Sequence, residues 1–216
     1  MKIKRNTPRI LGNLIQMDDF LESYQDAEEQ IFSEVLLTEI EITGGEFYEI
    51  DFSASRIEKC RFMGADFEKS SFVDVIFKDC DFSNCHFGEA YFNRCEFINC
   101  KCVGTDYHEA VCKQTGFLEC QLRYANLTGI YFENVEIKKC DLTEAALSEV
   151  KYKNWTIEDS LLVGVNLFKT RLKGMDISSN EFTDAIVSDS MEELRGVRIS
   201  PVQALEAARL LGMDII

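Results

Sequence analysis

FMGADFEKSSFVDVIFKDCDFSNCHFGEAYFNRCEF (residues 62–97) places a phenylalanine at every fifth position, eight times without a break. The frame extends outward in both directions. Backwards it meets Ile57, Phe52, Phe47, Ile42, Leu37 and Phe32, and forwards it meets Cys102, Tyr107, Cys112, Phe117, Leu122 and Leu127. It holds through Trp155's neighbour Ile157 and on to Phe182 and Val187, 32 consecutive apolar positions in a chain that is 46% hydrophobic. Chance does not keep such a frame, so internal repetition is the first property of this chain.

A period of five matches neither the 3.6-residue helical repeat nor simple strand alternation. A second frame lies two residues earlier and is mostly small or β-branched: Ser55, Cys60, Ala65, Ser70, Val75, Cys80, Cys85, Ala90 and Cys95 continue it. Two inward side chains separated by one outward side chain describe a short extended segment. The two remaining residues of each five are largely polar and must turn the chain. Gly44, Gly64, Gly104, Gly129, Gly164 and Gly174 all fall at the last position of their pentad, where a permissive backbone is useful. Each pentad therefore reads as one side and one corner of a coil.

Segments such as ADFEKSSF, CDFSNCHF, CEFINC, YANLTG and CDLTEAAL resemble the A-(D/N)-L-x-x signature of the pentapeptide-repeat family. The resemblance implies an all-β fold, a right-handed quadrilateral β-helix with four pentads per coil. The spacing of Cys60, Cys80, Cys100, Cys120 and Cys140 by twenty agrees with that number, because four-pentad coils would stack them in one ladder. About eight coils at about 4.8 Å each make a rod roughly 38 Å long. The expected organisation is an N-terminal cap over residues 1–31, the β-helix over 32–189, and a final extended piece with a C-terminal helix over 190–216. No long loop is expected inside the frame, and Trp155, Met175 and Asn180 in small-residue slots predict local distortion beyond about residue 150.

The ends carry different signals. Met17, Leu21 and Tyr24 lie at near-helical spacing in an acidic stretch and suggest a short helix or irregular cap over the first coil, which must be covered. At the other end Ser200, Pro201 and Gln203 form a capping box with proline in the first turn, and Gly212 marks a stop. Ala204, Leu205, Ala207, Ala208, Leu210 and Leu211 would then form a face that either closes the last coil or pairs with a second copy.

The chain carries a net charge of −15. The frame accounts for −11 of it, divided unequally when each pentad is assigned to one of four faces. The face through Phe47, Phe67, Phe87 and Tyr107 carries −6, the face through Phe32, Phe52 and Phe72 carries +2, and the other two carry −4 and −3. Glu46, Glu49, Asp66, Glu68, Glu89, Asp106 and Glu109 form the acidic face and are the candidate partner-binding residues. A solvated acidic surface that keeps the rod soluble is the plain reading. The other reading uses shape, because a duplex carries about 22 charges over about 38 Å and the rod carries about half as many on a similarly straight body. Such a rod would not bind nucleic acid, since like charges repel.

Catalysis needs convergent polar groups in a pocket, whereas this interior is filled by alternating small and large apolar residues. His86 and His108 both occupy outward slots, and no nucleophile–histidine pair, phosphate-binding loop or CxxC pair occurs. The nine cysteines all fall in inward slots and read as small hydrophobes in a reducing cytoplasm, not as metal ligands or disulfide halves. No apolar run approaches the about 18 residues of a membrane span. The basic start lacks the apolar core and cleavage site of a secretory signal. The expectation is thus a cytoplasmic non-enzyme with no cofactor and no membrane association.

Residues 120–216, with CQLRYANLTGIYFENVEIKKCDLTEAAL and the ending ALEAARLLGMDI, are similar to the Qnr branch of pentapeptide-repeat proteins, in its chromosomal, Gram-positive form. That resemblance implies a homodimeric DNA mimic that engages DNA gyrase or topoisomerase IV and protects it from quinolones, or modulates it. The unbroken frame departs from Qnr proteins that carry projecting loops. The other function class is a structural interaction module with an unrelated partner.

Overall fold

In the computed structural model, which describes residues 3, 5–10 and 12–214, the chain winds as a parallel β-solenoid of about eight coils. Residues twenty apart lie over one another. The first face runs Phe32↔Phe52↔Phe72↔Phe92↔Cys112↔Phe132↔Tyr152, and the second runs Leu37↔Ile57↔Phe77↔Phe97↔Phe117↔Ile137↔Ile157. These two faces are built mostly of three-residue strands, which merge around their shared corner in Tyr131–Lys138 and Lys151–Glu158. The third and fourth faces are held mainly by single bridges, such as Asp81↔Lys101↔Gln121↔Asp141 and Glu46↔Asp66↔His86↔Asp106.

Every corner uses the same backbone device. From Glu34 to Gly174 each fifth residue has positive φ, whether it is glycine, asparagine, or a residue such as Arg94, Lys59 or Glu119. For a side chain with a Cβ this conformation costs about 1–2 kcal/mol. The return is that the corner N–H reaches the neighbouring coil, as in Glu34 to Ser53 O at 3.0 Å and Arg94 to Lys113 O at 2.9 Å. The glycines expected at these turns are joined by many residues that accept the strain.

Inside, the large slots stack along the rod axis. Phe52 and Phe72 lie 5.9 Å apart with planes 4° off parallel, and Phe67, Phe87 and Tyr107 follow at 5.0 and 5.4 Å. Rings that meet across a corner within one coil are edge-on instead, as Phe77 and Phe82 are at 85°. Both arrangements suit the aromatic quadrupole. The small slots also carry a hydrogen-bonding pattern. Their hydroxyl or thiol donates to the carbonyl of a large-slot residue in the coil below: Ser70 to Phe47, Cys95 to Phe72, Thr105 to Phe82, Cys120 to Phe97 and Thr170 to Leu147. Cysteine here is a small hydrophobe that also satisfies a buried acceptor.

The two ends are closed in different ways. At the first coil α1 (Phe20–Asp26), capped by the Asp19 side chain, inserts Phe20 among Phe32, Phe47, Phe52 and Phe62 with ring centroids 5.4–6.1 Å apart. Phe20 is the plug, while Leu21 is exposed and Met17 and Tyr24 are only partly buried against the core. At the last coil Leu194, Val197 and Ile199 pack against the core, and polar side chains meet the backbone groups of the open end. Glu193 accepts from Lys169 N and from Ser188. In α2 (Pro201–Leu210) Gln203 donates to the carbonyls of Ile177 and Asn180, at 2.8 and 2.7 Å, and Glu206 accepts from Asp184 N. The capping box of Ser200 and Gln203 forms as expected.

Trp155 perturbs the stack where distortion was expected. It is buried in a small slot against Phe132, and it displaces Tyr152 outward so that the tyrosine hydroxyl donates to Arg171 O. Among the described residues no backbone hydrogen bond joins 151–158 to 171–178. A cleft of about 260 Å³ lies between them, lined by Trp155, Lys173, Met175 and Arg198 among others.

Candidate partner-binding surface

The ladders decide which charges remain available. Outward side chains twenty residues apart lie side by side, so oppositely charged ones pair: Lys101 with Asp81 at 3.2 Å, Lys139 with Glu119 at 3.3 Å, Lys153 with Glu133 at 3.0 Å and Lys169 with Glu149 at 2.7 Å. The fourth face departs from this between residues 46 and 109. The structure brings Glu46, Glu49, Asp66, Glu68, Glu89, Asp106 and Glu109 onto that face along the first coils, Glu46, Asp66 and Asp106 in one row, Glu49, Glu89 and Glu109 in a second, and Glu68 between them. Lys69 is the cation among them, 3.2 Å from Glu68 and 3.9 Å from Glu89. Asp106 accepts from His108 and from Asn126 Nδ2. Glu46, Glu49, Asp66 and Glu109 have no ion-pair partner among the described residues. The Tyr48 hydroxyl is held above its usual pKa by the nearby Asp66 carboxylate, with further help from Glu46 and Glu68.

The C-terminal helix does not dock as its composition suggests. Its buried side chains are Gln203 and Glu206, because the open coil end presents backbone groups that need partners. Ala204, Leu205 and Leu211 face solvent and Ala207, Ala208 and Leu210 are half-buried. Val202, Leu205, Leu211 and Met213 remain as an exposed apolar patch.

A third feature was not legible from composition. The described residues of the basic N-terminal arm (3, 5–10 and 12–14) run lengthwise over the corner between the first and second faces. Ile15 pairs with Val35 in the first coil, Arg9 N donates to Asp74 Oδ1, Asn6 N donates to Gln114 Oε1, and Ile3 reaches the cleft beside Trp155. Burial raises the Asp74 carboxyl, but hydrogen bonds from the Arg94 side chain and the Arg9 backbone outweigh it and hold the group below the usual carboxylate range. Arg5 donates to Glu96 at 2.8 Å and to Glu136 at 3.3 Å. The sequence signal for this contact is Gly116, the glycine that stands at an outward strand position instead of a corner.

The nine thiols are all buried and free, and burial pushes Cys85 and Cys95 up to about 12. Among the described residues no group of three or more His, Cys, Asp or Glu side chains is arranged to hold a metal ion, and no helix is long and apolar enough to cross a membrane.

A parallel solenoid whose corner, large and small slots recur every five residues defines a class, that of pentapeptide coils. A sequence model of the pentapeptide repeat region matches residues 70–145, and one of pentapeptide repeats in eight copies matches residues 46–84. Residues 46–145 thus belong to the pentapeptide-repeat family. Among solved structures it is similar to a trypsin-treated variant of QnrB1, described as a plasmid-mediated fluoroquinolone resistance protein. Identity is 19%, coverage is 95% of this chain and 100% of that one, and the TM-score is 0.46. A second trypsin-treated QnrB1 variant matches at 20% identity over 82% of this chain and 99% of its own, with a TM-score of 0.45. HetL, a pentapeptide-repeat protein involved in heterocyst differentiation regulation from the cyanobacterium Nostoc, matches at 16% identity over 84% and 96% of the two chains, with a TM-score of 0.33. Comparison with curated protein sequences finds no match.

Proposed function

We propose that this protein is a DNA mimic that binds DNA gyrase or topoisomerase IV and shields it from quinolones, or modulates its activity. The observation that carries the reading is the carboxylate stripe of the fourth face. Its rows repeat at the coil spacing of about 4.8 Å, and Glu46, Glu49, Asp66 and Glu109 form no ion pair among the described residues. A protein saddle that holds duplex DNA is lined by cations facing a regular array of phosphates. A rigid rod with regularly spaced carboxylates meets the same cations without needing the bases. Similarity of residues 120–216 to the Qnr branch supports the choice of partner.

The protein acts by occupancy and not by catalysis, in a reducing cytoplasm that keeps its nine thiols free. It is a homodimer through the exposed patch on α2, with Leu205 and Leu211 at the contact. Supercoiling by gyrase, followed with and without ciprofloxacin across micromolar concentrations of the protein, tests the assignment. Rescue or inhibition is expected, and neither would reject it. Sedimentation tests the dimer. Capture of an unrelated partner in place of topoisomerase subunits would favour the interaction-module reading.

A further inference from the structure

Glu96, Gly116 and Glu136 stand one above another on the second face, in consecutive coils. The Arg5 guanidinium lies across them, with Glu96 on one side and Glu136 on the other. Gly116 is the floor. Its φ is not in the left-handed region, so the backbone does not call for glycine there, but a Cβ would come within 2.6 Å of Arg5 Nη2. Glycine inside a strand weakens it and often marks the close approach of another group, which here is the arginine. The result is a slot with a flat floor and two carboxylate walls, shaped for one planar cation. The Arg5 side chain is only 10% exposed in it.

The segment that fills the slot is fastened lightly. No described residue between 3 and 14 is fully buried, and the described arm–rod contacts of its backbone are the bonds from Asn6 and Arg9 to side chains. Attachment by a few polar points and by apolar side chains that are only half-buried belongs to the low-stability end of local opening. The arm is also the cationic part of an acidic protein. Residues 1–17 contain Lys2, Lys4, Arg5 and Arg9 and no acid, while the chain as a whole carries −15.

We propose that the Glu96–Gly116–Glu136 ladder is an arginine-docking site, that the N-terminal arm occupies it as an internal competitor, and that an arginine-bearing extended segment of a partner displaces the arm to bind there. The site lies on a different face from the carboxylate stripe, and it does not depend on the topoisomerase reading. Binding of a partner would exchange one guanidinium for another and uncover the first–second corner along most of the rod.

The test uses the full chain and a fluorescent peptide of residues 1–14 as probe. A tethered arm competes at an effective concentration of about a millimolar, so the wild-type protein should bind the peptide weakly. Arg5→Ala leaves the slot intact and removes its occupant, and it should raise peptide affinity about tenfold or more, the worth of losing charge-assisted hydrogen bonds. Adding Glu96→Gln and Glu136→Gln, which keep the shape, should abolish the gain, as should a peptide carrying alanine in place of arginine 5. Trypsin should cut after Arg9 more slowly in the wild type than in Arg5→Ala. Equal peptide affinity in the wild type and Arg5→Ala would overturn the proposal, and so would retained binding in the triple variant or equal cleavage rates.

Discussion

Raising the pH from 8 to 9.5 should destabilise this protein markedly, because the buried thiols outside its cysteine ladder must stay protonated in the folded state. Burial pushes Cys85 and Cys95 up to about 12 and raises Cys102 and Cys112 as well, whereas along the Cys60–Cys80–Cys100–Cys120–Cys140 ladder hydrogen bonds between thiols lower Cys80 and Cys120 and, with burial, raise their neighbours, so the ladder's shifts oppose one another. In the unfolded chain each thiol returns to about 8.5. The folded pKa is the higher one, so this contribution is fully present below about pH 8.5 and is lost as pH rises toward the folded value. Between pH 8 and 9.5 the unfolded state gains about 1.3 kcal/mol per thiol, about 5 kcal/mol for the four outside the ladder. That is the lower end of the whole stability of a typical domain. Urea midpoints followed by far-UV circular dichroism under strong reducing conditions would measure it. Cys85→Ala with Cys95→Ala should remove about half of the drop, after allowance for the smaller side chains. A midpoint independent of pH across this window would refute the claim that these slots hold neutral thiols.

Phe87→Ala should cost about 3–5 kcal/mol, because Phe87 is fully buried and stacks on Phe67 and Tyr107; thermal unfolding would measure it. Tyr107→Phe should stabilise by about 1 kcal/mol. The Tyr107 hydroxyl is buried without a hydrogen-bond partner, and the Cys102 thiol lies beside it without reaching bonding geometry. Gln203→Leu should lower the stability of the C-terminal end by about 1–3 kcal/mol, since it strips the Asn180 carbonyl of its donor and removes one of those of the Ile177 carbonyl; amide hydrogen exchange there should rise. Reversing Glu46, Asp66 and Asp106 to lysine should weaken any effect on gyrase supercoiling, and added salt should do the same. Persistence of the full effect under both would shift the contact away from the fourth face.

Much of the rod was legible because its information is local and repeated. The five-residue frame determines which side chains turn inward, and the cysteines spaced by twenty determine how the coils stack. Ser200 and Gln203 were readable for the same reason, since a capping box spans only four residues. The misreadings concern contacts that join distant parts of the chain. Phe20 was passed over for Met17, Leu21 and Tyr24 because helical spacing cannot tell which residue meets an open coil of phenylalanines. The alanine and leucine face of α2 reads as a closure or as a contact with a second copy; the closing role falls instead to Gln203, because a coil end offers carbonyls. The arm has no period, and Arg5 meets its partners 91 and 131 residues away. The seven acids were grouped on one face correctly, yet which of them keep their charge unopposed depends on lysines one coil away.

The interruption beside Trp155 gives the rod a direction of failure. Elsewhere each winding is clipped to the next along the first–second corner, but between Lys151–Glu158 and the winding above it that row of clips is missing among the described residues. Under axial tension or heating, the terminal winding and its helix should therefore detach as one unit before the phenylalanine column loosens. A pulling experiment would register this as an early, small extension step, followed by a much larger one.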